Sequence, residues 1–135
     1  MEPTFKEFIL TELQDMGEVR EVENHLSQMF SDMGVSGAQF TKHGRDDRAL
    51  GRDADITQKE ISELFLKFKK MHGPKMMQGL KEKGRYQAVI KDFGSQVNMV
   101  IDVDGGILKI VTMMRKPPNQ FKGDAWAHYQ QLKVW

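Results

Sequence analysis

None of the 135 positions in this chain is a cysteine. Disulfides, thiolate nucleophiles and cysteine-ligated zinc are therefore excluded, and stability must come from packing. Histidine is sparse as well: His25, His43, His72 and His128 are scattered, with no His-x-x-x-His or His-x-His pair, so no metal site is expected. Gly44 and Gly51 do not form a phosphate-cradling loop, and no strand-to-helix junction has that form, which removes nucleoside triphosphatase and dinucleotide-binding readings. No apolar run approaches the ~20 residues of a membrane span. The N-terminus, with Glu2 and Glu7 and no continuous apolar core, does not read as a signal peptide. The expectation is a cytoplasmic protein with no cofactor and no membrane partner.

The length suits one core and is short for two. A net charge of +1 hides an asymmetry: residues 1–39 carry eight acids against two bases, and the remaining 96 carry 18 bases against 11 acids. A basic body attracts polyanions such as nucleic acid, whereas an acidic helical segment can pack on it, shield it or recruit a partner. The division read from this is an acidic N-terminal helical segment, 1–37, and an α+β domain, 38–135.

Thr4-Phe5-Lys6-Glu7 is a capping box, and Phe5, Phe8, Ile9, Leu13 and Met16 recur at helical spacing up to Gly17. A second amphipathic helix follows, with Val22, Leu26, Met29, Phe30 and Met33 on one face and Gly34 placed for a left-handed cap. Ala38 to Thr41 reads as a short strand or extended entry, and Gly44 to Asp55 as a charged surface loop. The next helix is the best-signed element: Thr57 as N-cap, Glu60 completing its capping box, Ile56 against Ile61 as a staple, and His72-Gly73-Pro74 as the stop. Pro74 would then open a further short helix that Gly84 ends.

From Arg85 the period changes from 3.6 to 2. Tyr86, Ala88 and Ile90 share one face; Gly94-Ser95 turns; Val97, Met99, Ile101 and Val103 share a face of the next run. Asp104-Gly105-Gly106 is a tight-turn signal and Ile107 to Met114 returns as a third strand, ended by Pro117-Pro118. For the tail, both a short helix from Asp124 and an edge strand fit. The expected architecture is α+β, with N-terminal helices packed on one face of a small curved antiparallel meander and the other face free for function.

Chemistry concentrates where Phe40-Thr41-Lys42-His43 leads into Arg45, Arg48 and Arg52. A proton-transferring imidazole beside three fixed cations suits phosphodiester chemistry. The bland reading is surface ion pairing with Asp46, Asp47, Asp53 and Asp55. The run Lys67, Lys69, Lys70, Lys75, Lys81, Lys83, Arg85 has only Glu82 against it and reads equally as a polyanion-binding flank or a solvated helix face. Trp126, Tyr129 and Trp135 are able to stack on bases or to pin the tail.

Taken together, Phe-Thr-x-His with its spaced arginines, the Ile-Thr-x-x-Glu-Ile helix start, Tyr86 to Lys91, Val97 to Val100 and Ile110 to Lys116 resemble a group of small tailed-phage proteins. That group in turn resembles the superfamily of RelE toxins, barnase, EndoU and colicin D: metal-independent ribonucleases with helices packed on a curved antiparallel sheet. The likeness covers roughly residues 38 to 122. It implies a RelE/barnase-like fold and, as activity, metal-independent endoribonuclease action on host or phage RNA in the host cytoplasm. Carried across by residue, it implies a catalytic set of His43, Arg48, Arg85, Thr112 and Arg115, with Tyr86 and Lys116 beside it. Arg45, Arg52, Lys81 and Lys83 complete the expected RNA contacts.

Such cleavage has the 2′-hydroxyl attack its own phosphate, which needs a base, an acid and cations for the added charge. His43 suits either proton role, and Arg48, Arg85 and Arg115 suit the phosphate clamp. No second proton-transfer group stands out. The alternative from another class is a non-catalytic phage protein that uses the same fold to bind nucleic acid, or a host protein or second copy through the acidic helices.

Overall fold

In the computed structural model, residues 20–41, 56–117 and 127–135 are described. The first helix, loop 44–55 and Trp126 therefore lie outside the described residues. Residues 20–29 form helix α1, followed by a single 3-10 turn, Ser31–Met33, that Gly34 closes at φ 83°. Val22, Leu26 and Phe30 recur at helical spacing, and all are buried.

Helix α2, Gln58–Lys83, begins where its capping chemistry dictates. Thr57 Oγ1 accepts from the Glu60 amide at 3.1 Å, and the Glu60 carboxylate accepts from the Thr57 amide at 3.2 Å. Ile56 and Ile61, the expected staple pair, are both fully buried. The stop expected at His72-Gly73-Pro74 is overturned: α2 runs unbroken through Pro74 to Gly84, whose amide donates to Leu80 O at 2.8 Å. Proline removes one backbone donor, but Phe68 before it and Met76 after it are buried in one core cluster, so packing holds the axis across the missing bond. At Gly73 a Cβ would lie 2.8 Å from Met33 Cε, the movable end of a flexible side chain. Phe30, directly after α1, packs edge-on against Phe65 of α2 at 5.9 Å between ring centroids.

Five strands follow the helices or flank them: β1 (Gly37–Phe40), β2 (Arg85–Asp92), β3 (Val97–Asp104), β4 (Ile107–Arg115) and β5 (Gln130–Val134). They form one sheet in the order β1-β4-β3-β2-β5. The central β2, β3 and β4 are the expected antiparallel meander. Gly105 and Gly106, at φ 60° and 80°, make the left-handed two-residue turn between β3 and β4. The outer strands differ from expectation: β1 pairs with β4 and β5 with β2 in parallel, so the sheet is mixed. Each outer strand is separated from its partner by a long stretch of chain, which leaves parallel pairing open where a short turn would not. The tail thus supplies an edge strand.

Tyr86, Ala88 and Ile90 of β2, Met99, Ile101 and Val103 of β3, and Leu132 and Val134 of β5 join α1 and α2 in the main core. The opposite face is not bare. Val89, Val100 and Tyr129 form a second buried cluster on it, with Val111 and Met114 packed alongside. β3 is buried on both faces over its first seven residues, as a central strand between two covered faces must be. The face expected to be free is therefore closed at its centre. No helix among the described residues is long and apolar enough to cross a membrane.

Candidate nucleic-acid interface

His43, Arg45, Arg48 and Arg52 lie outside the described residues. The remaining expected site residues are placed, and they do not all converge. Arg85 pairs with Asp104 at one end of β3, and Arg115 pairs with Val97 at the other. At about 3.3 Å per strand residue this puts them about 23 Å apart, too far to hold one phosphate.

Arg115 instead ties β4 to the start of α2, donating from Nη2 to Glu60 Oε1 at 2.7 Å and from Nη1 to Ser95 O at 3.0 Å. That hydrogen bond, first, holds the Glu60 carboxyl below its usual range. Thr112 is buried opposite Val100. Lys116 accepts from Asn98 Nδ2 at 2.9 Å through its carbonyl and donates its amide to Gln96 O, again at 2.9 Å. This end of the sheet is built for stability.

The Arg85 end is different. β5 begins opposite Ala88, so among the described residues Arg85, Tyr86 and Gln87 have no strand partner on that side. The last two turns of α2 pass over the gap, and a cleft of about 510 Å³ opens between helix, β2 edge and the residues leading into β5. Lys75, Lys83, Arg85 and His128 line it, with Gln78, Gln87 and Gln130 between them. Glu82 is the carboxylate in that lining, and it accepts from Gln78 Nε2 at 3.1 Å. The balance favours an anion.

Alternation along β2 sends Arg85 to one face and Tyr86 to the other. Arg85 reaches diagonally to Asp102, donating from Nε to Oδ1 at 3.1 Å and from Nη2 to Oδ2 at 2.8 Å. These bonds, followed by the charge of Asp102, raise the guanidinium's already high pKa, so it remains a cation. Its side chain is half exposed, leaving its outer edge to solvent.

Tyr86 lies under α2, 7% exposed. At Gly79 the helix comes so close that a Cβ would stand 2.8 Å from Tyr86 Cδ1. Burial pushes the phenol above its ordinary range. Its hydroxyl is buried and has no hydrogen-bond partner among the described residues.

Lys83, Arg85 and Tyr86, all expected at the site, are thus brought together, and Lys81 lies on the same final turn of α2, facing a neighbouring groove. Lys75, His128 and the glutamines are additions. His128 stands 42 residues beyond Tyr86, and only the parallel docking of β5 on β2 brings it near; no local pattern carries that signal. Its ring packs edge-on against Tyr129 at 4.5 Å. Among the described residues no three histidine, aspartate or glutamate side chains gather as a metal-binding group.

In comparisons with known proteins, no family model, no curated protein and no solved structure matches this chain.

Proposed function

We propose that this protein binds RNA in the cleft at the end of α2 and cleaves it by the metal-independent chemistry of RelE/barnase-like ribonucleases, as a phage-encoded protein acting on host or phage RNA. One observation carries the reading: Lys75, Lys83, Arg85 and His128, from three separate elements, converge on a single cleft. Arg85 and Lys83 hold the phosphate, the first as a planar fork and the second as a point charge. His128 supplies the proton-transfer group that the strands alone lack, and His43, ahead of α2 in the chain, is the histidine that the family resemblance offers as its counterpart. One imidazole takes the 2′-hydroxyl proton as that oxygen bonds to phosphorus. The other protonates the departing 5′-oxygen, and a 2′,3′-cyclic phosphate remains. The α+β arrangement of helices against a five-stranded sheet with an antiparallel centre supports the RelE-like reading of the fold.

The test is incubation of the full chain with a mixed RNA pool in EDTA, beside His43→Ala and His128→Ala. New cyclic-phosphate ends are expected from the wild type, and a drop of at least about 100-fold in either variant, the usual worth of a general acid or base. Cleavage that needs magnesium, or that ignores both histidines, overturns the mechanism.

A second reading is favoured by the state of Arg85 and Arg115, whose guanidinium groups are held by Asp102 and by Glu60. Cations fixed in this way suit a binding surface without turnover. RNA affinity that falls steeply with salt, with no new ends, selects it.

A further inference from the structure

We infer that Phe93 and Trp135, with Lys91 and Lys133 beside them, form a stacking platform that holds the bases of single-stranded RNA beyond the cleft. The inference rests on the RNA-binding reading above and adds a second contact, at the far end of β2 and β5.

The argument starts from where the aromatic side chains lie. Among the described residues Phe30, Phe40, Phe65, Phe68, Tyr86 and Tyr129 are buried, whereas Phe93 is 46% and Trp135 70% exposed. The two exceptions are neighbours. Asp92 pairs with Val134 in the parallel ladder, and the Phe93 amide donates to Val134 O at 2.9 Å, which sets Phe93 beside Trp135. Pinning the tail does not explain an exposed tryptophan, because Leu132 and Val134 already anchor β5 in the core.

The surroundings of the two rings say what they meet. Leu132 and Val134 join the main core with α2, so alternation turns Lys133 and Trp135 to the opposite face of the sheet. Lys133 Nζ lies over the Phe93 ring, 5.6 Å from its centroid, and so brings Phe93 to that face as well. Lys91 stands opposite Lys133 in register. Like charges facing each other across strands repel, and neither lysine has a carboxylate partner among the described residues. Asp92, between Lys91 and Phe93 in the chain, is bound to Lys67 of α2 at 3.0 Å.

Exposed rings interleaved with unpaired ammonium groups are the equipment of single-strand binding: the rings stack on bases and the cations meet the phosphates. A duplex keeps its base faces covered. A second copy of the chain would bring the same two lysines against these two, so charge complementarity selects the polyanion. The platform is also continuous with the cleft. β5 starts at Gln130 in the cleft lining, and Trp135 follows about 17 Å along the same strand direction.

Fluorescence anisotropy of the full chain with a labelled 2′-O-methyl RNA of about 12 nucleotides, single-stranded or paired with its complement, tests this. Without a free 2′-hydroxyl the oligonucleotide resists the cleavage proposed above, so binding is read alone. Trp135→Ala and Trp135→Leu should each weaken the single strand about tenfold, the usual worth of one stacked base. Trp135→Phe should restore most of the loss, because it returns a ring where leucine returns only bulk. Phe93→Leu should repeat the loss, and Lys133→Ala should reduce the salt slope by about 1. The duplex should bind the aromatic variants as it binds wild type. Both rings are exposed, so the thermal midpoint should stay at the wild-type value; Phe93→Leu carries the test if Trp135→Ala does not fold. Unchanged single-strand affinity in Trp135→Ala and Phe93→Leu overturns the inference, as does full affinity in Trp135→Leu, an equal loss on the duplex, or a dimer in sedimentation that Trp135→Ala dissolves. Lys83→Ala separates the two readings. Loss there with none at Trp135 and Phe93 sinks the platform and leaves the cleft; loss at Trp135 with none at Lys83 sinks the cleft and leaves the platform. No binding by wild type overturns both.

Discussion

Arg85, which lines the cleft, and Asp102, outside that lining, form a two-bond fork across neighbouring strands, at 3.1 and 2.8 Å. The pair fixes a cation at the rim and sets an anion behind it. Two substitutions should therefore move RNA affinity in opposite directions. Arg85→Ala should weaken binding about uniformly across sequences and reduce the salt slope by about 1. Asp102→Asn should tighten binding at low salt by removing the opposing charge. Fluorescence anisotropy over a salt series measures both, and a shift in the same direction for the two variants would refute the placement of Arg85 at the RNA.

Gly73 and Gly79 are both tightly placed on α2, each with a would-be Cβ 2.8 Å from a neighbouring atom. The neighbours differ. At Gly73 it is the terminal methyl of Met33, which can swing aside; at Gly79 it is the Tyr86 ring, held between helix and sheet. Helix propensity favours alanine over glycine by about 1 kcal/mol at both. Overpacking a fixed ring costs about 1–3 kcal/mol. Gly73→Ala should be neutral or slightly stabilising, and Gly79→Ala should lose about 1 kcal/mol, by urea denaturation.

Pro74 is exposed inside α2. Alanine there restores one backbone donor and removes a ring clash, at the cost of a looser unfolded chain. Pro74→Ala should gain about 1–2 kcal/mol in the same assay. A loss would mean that the proline shapes the helix to fit the sheet.

Asp92 is buried at the end of β2, and burial by itself would raise its pKa. Bonds from Lys67 at 3.0 Å and from the Gly94 and Ser95 amides at 2.9 and 3.3 Å outweigh that and hold it below the usual range. A depressed folded value contributes stability above the unfolded value and loses it as pH falls through the folded one. Melting temperature should thus drop as pH goes below about 4, with Glu60 adding to the drop for the same reason. Asp92→Asn should cost about 1–2 kcal/mol near neutral pH and flatten the acid limb. An unchanged acid limb in that variant would assign the drop elsewhere.

Caps and the tight turn were legible in the sequence. The Thr57 and Glu60 capping box, the Gly34 and Gly84 stops and the Gly105-Gly106 turn each depend on residues within a few positions, and each is where the pattern puts it. The His72-Gly73-Pro74 stop misled because a local penalty at Pro74 is outweighed by contacts from Phe68 and Met76, which no short window contains.

By itself the sequence determined the capped start of α2, the apolar faces of α1 and α2, the antiparallel centre of the sheet and the absence of any thiol chemistry, because periodicity, caps and composition act over a few residues. Tertiary structure alone decided the parallel docking of β1 and β5, the closure of the second sheet face and the distance between Arg85 and Arg115. It also decided the cleft. His128 meets Tyr86, Arg85 and Lys83 only because an edge strand far along the chain pairs beside β2, and pairing between distant strands is settled by the packing of the whole core.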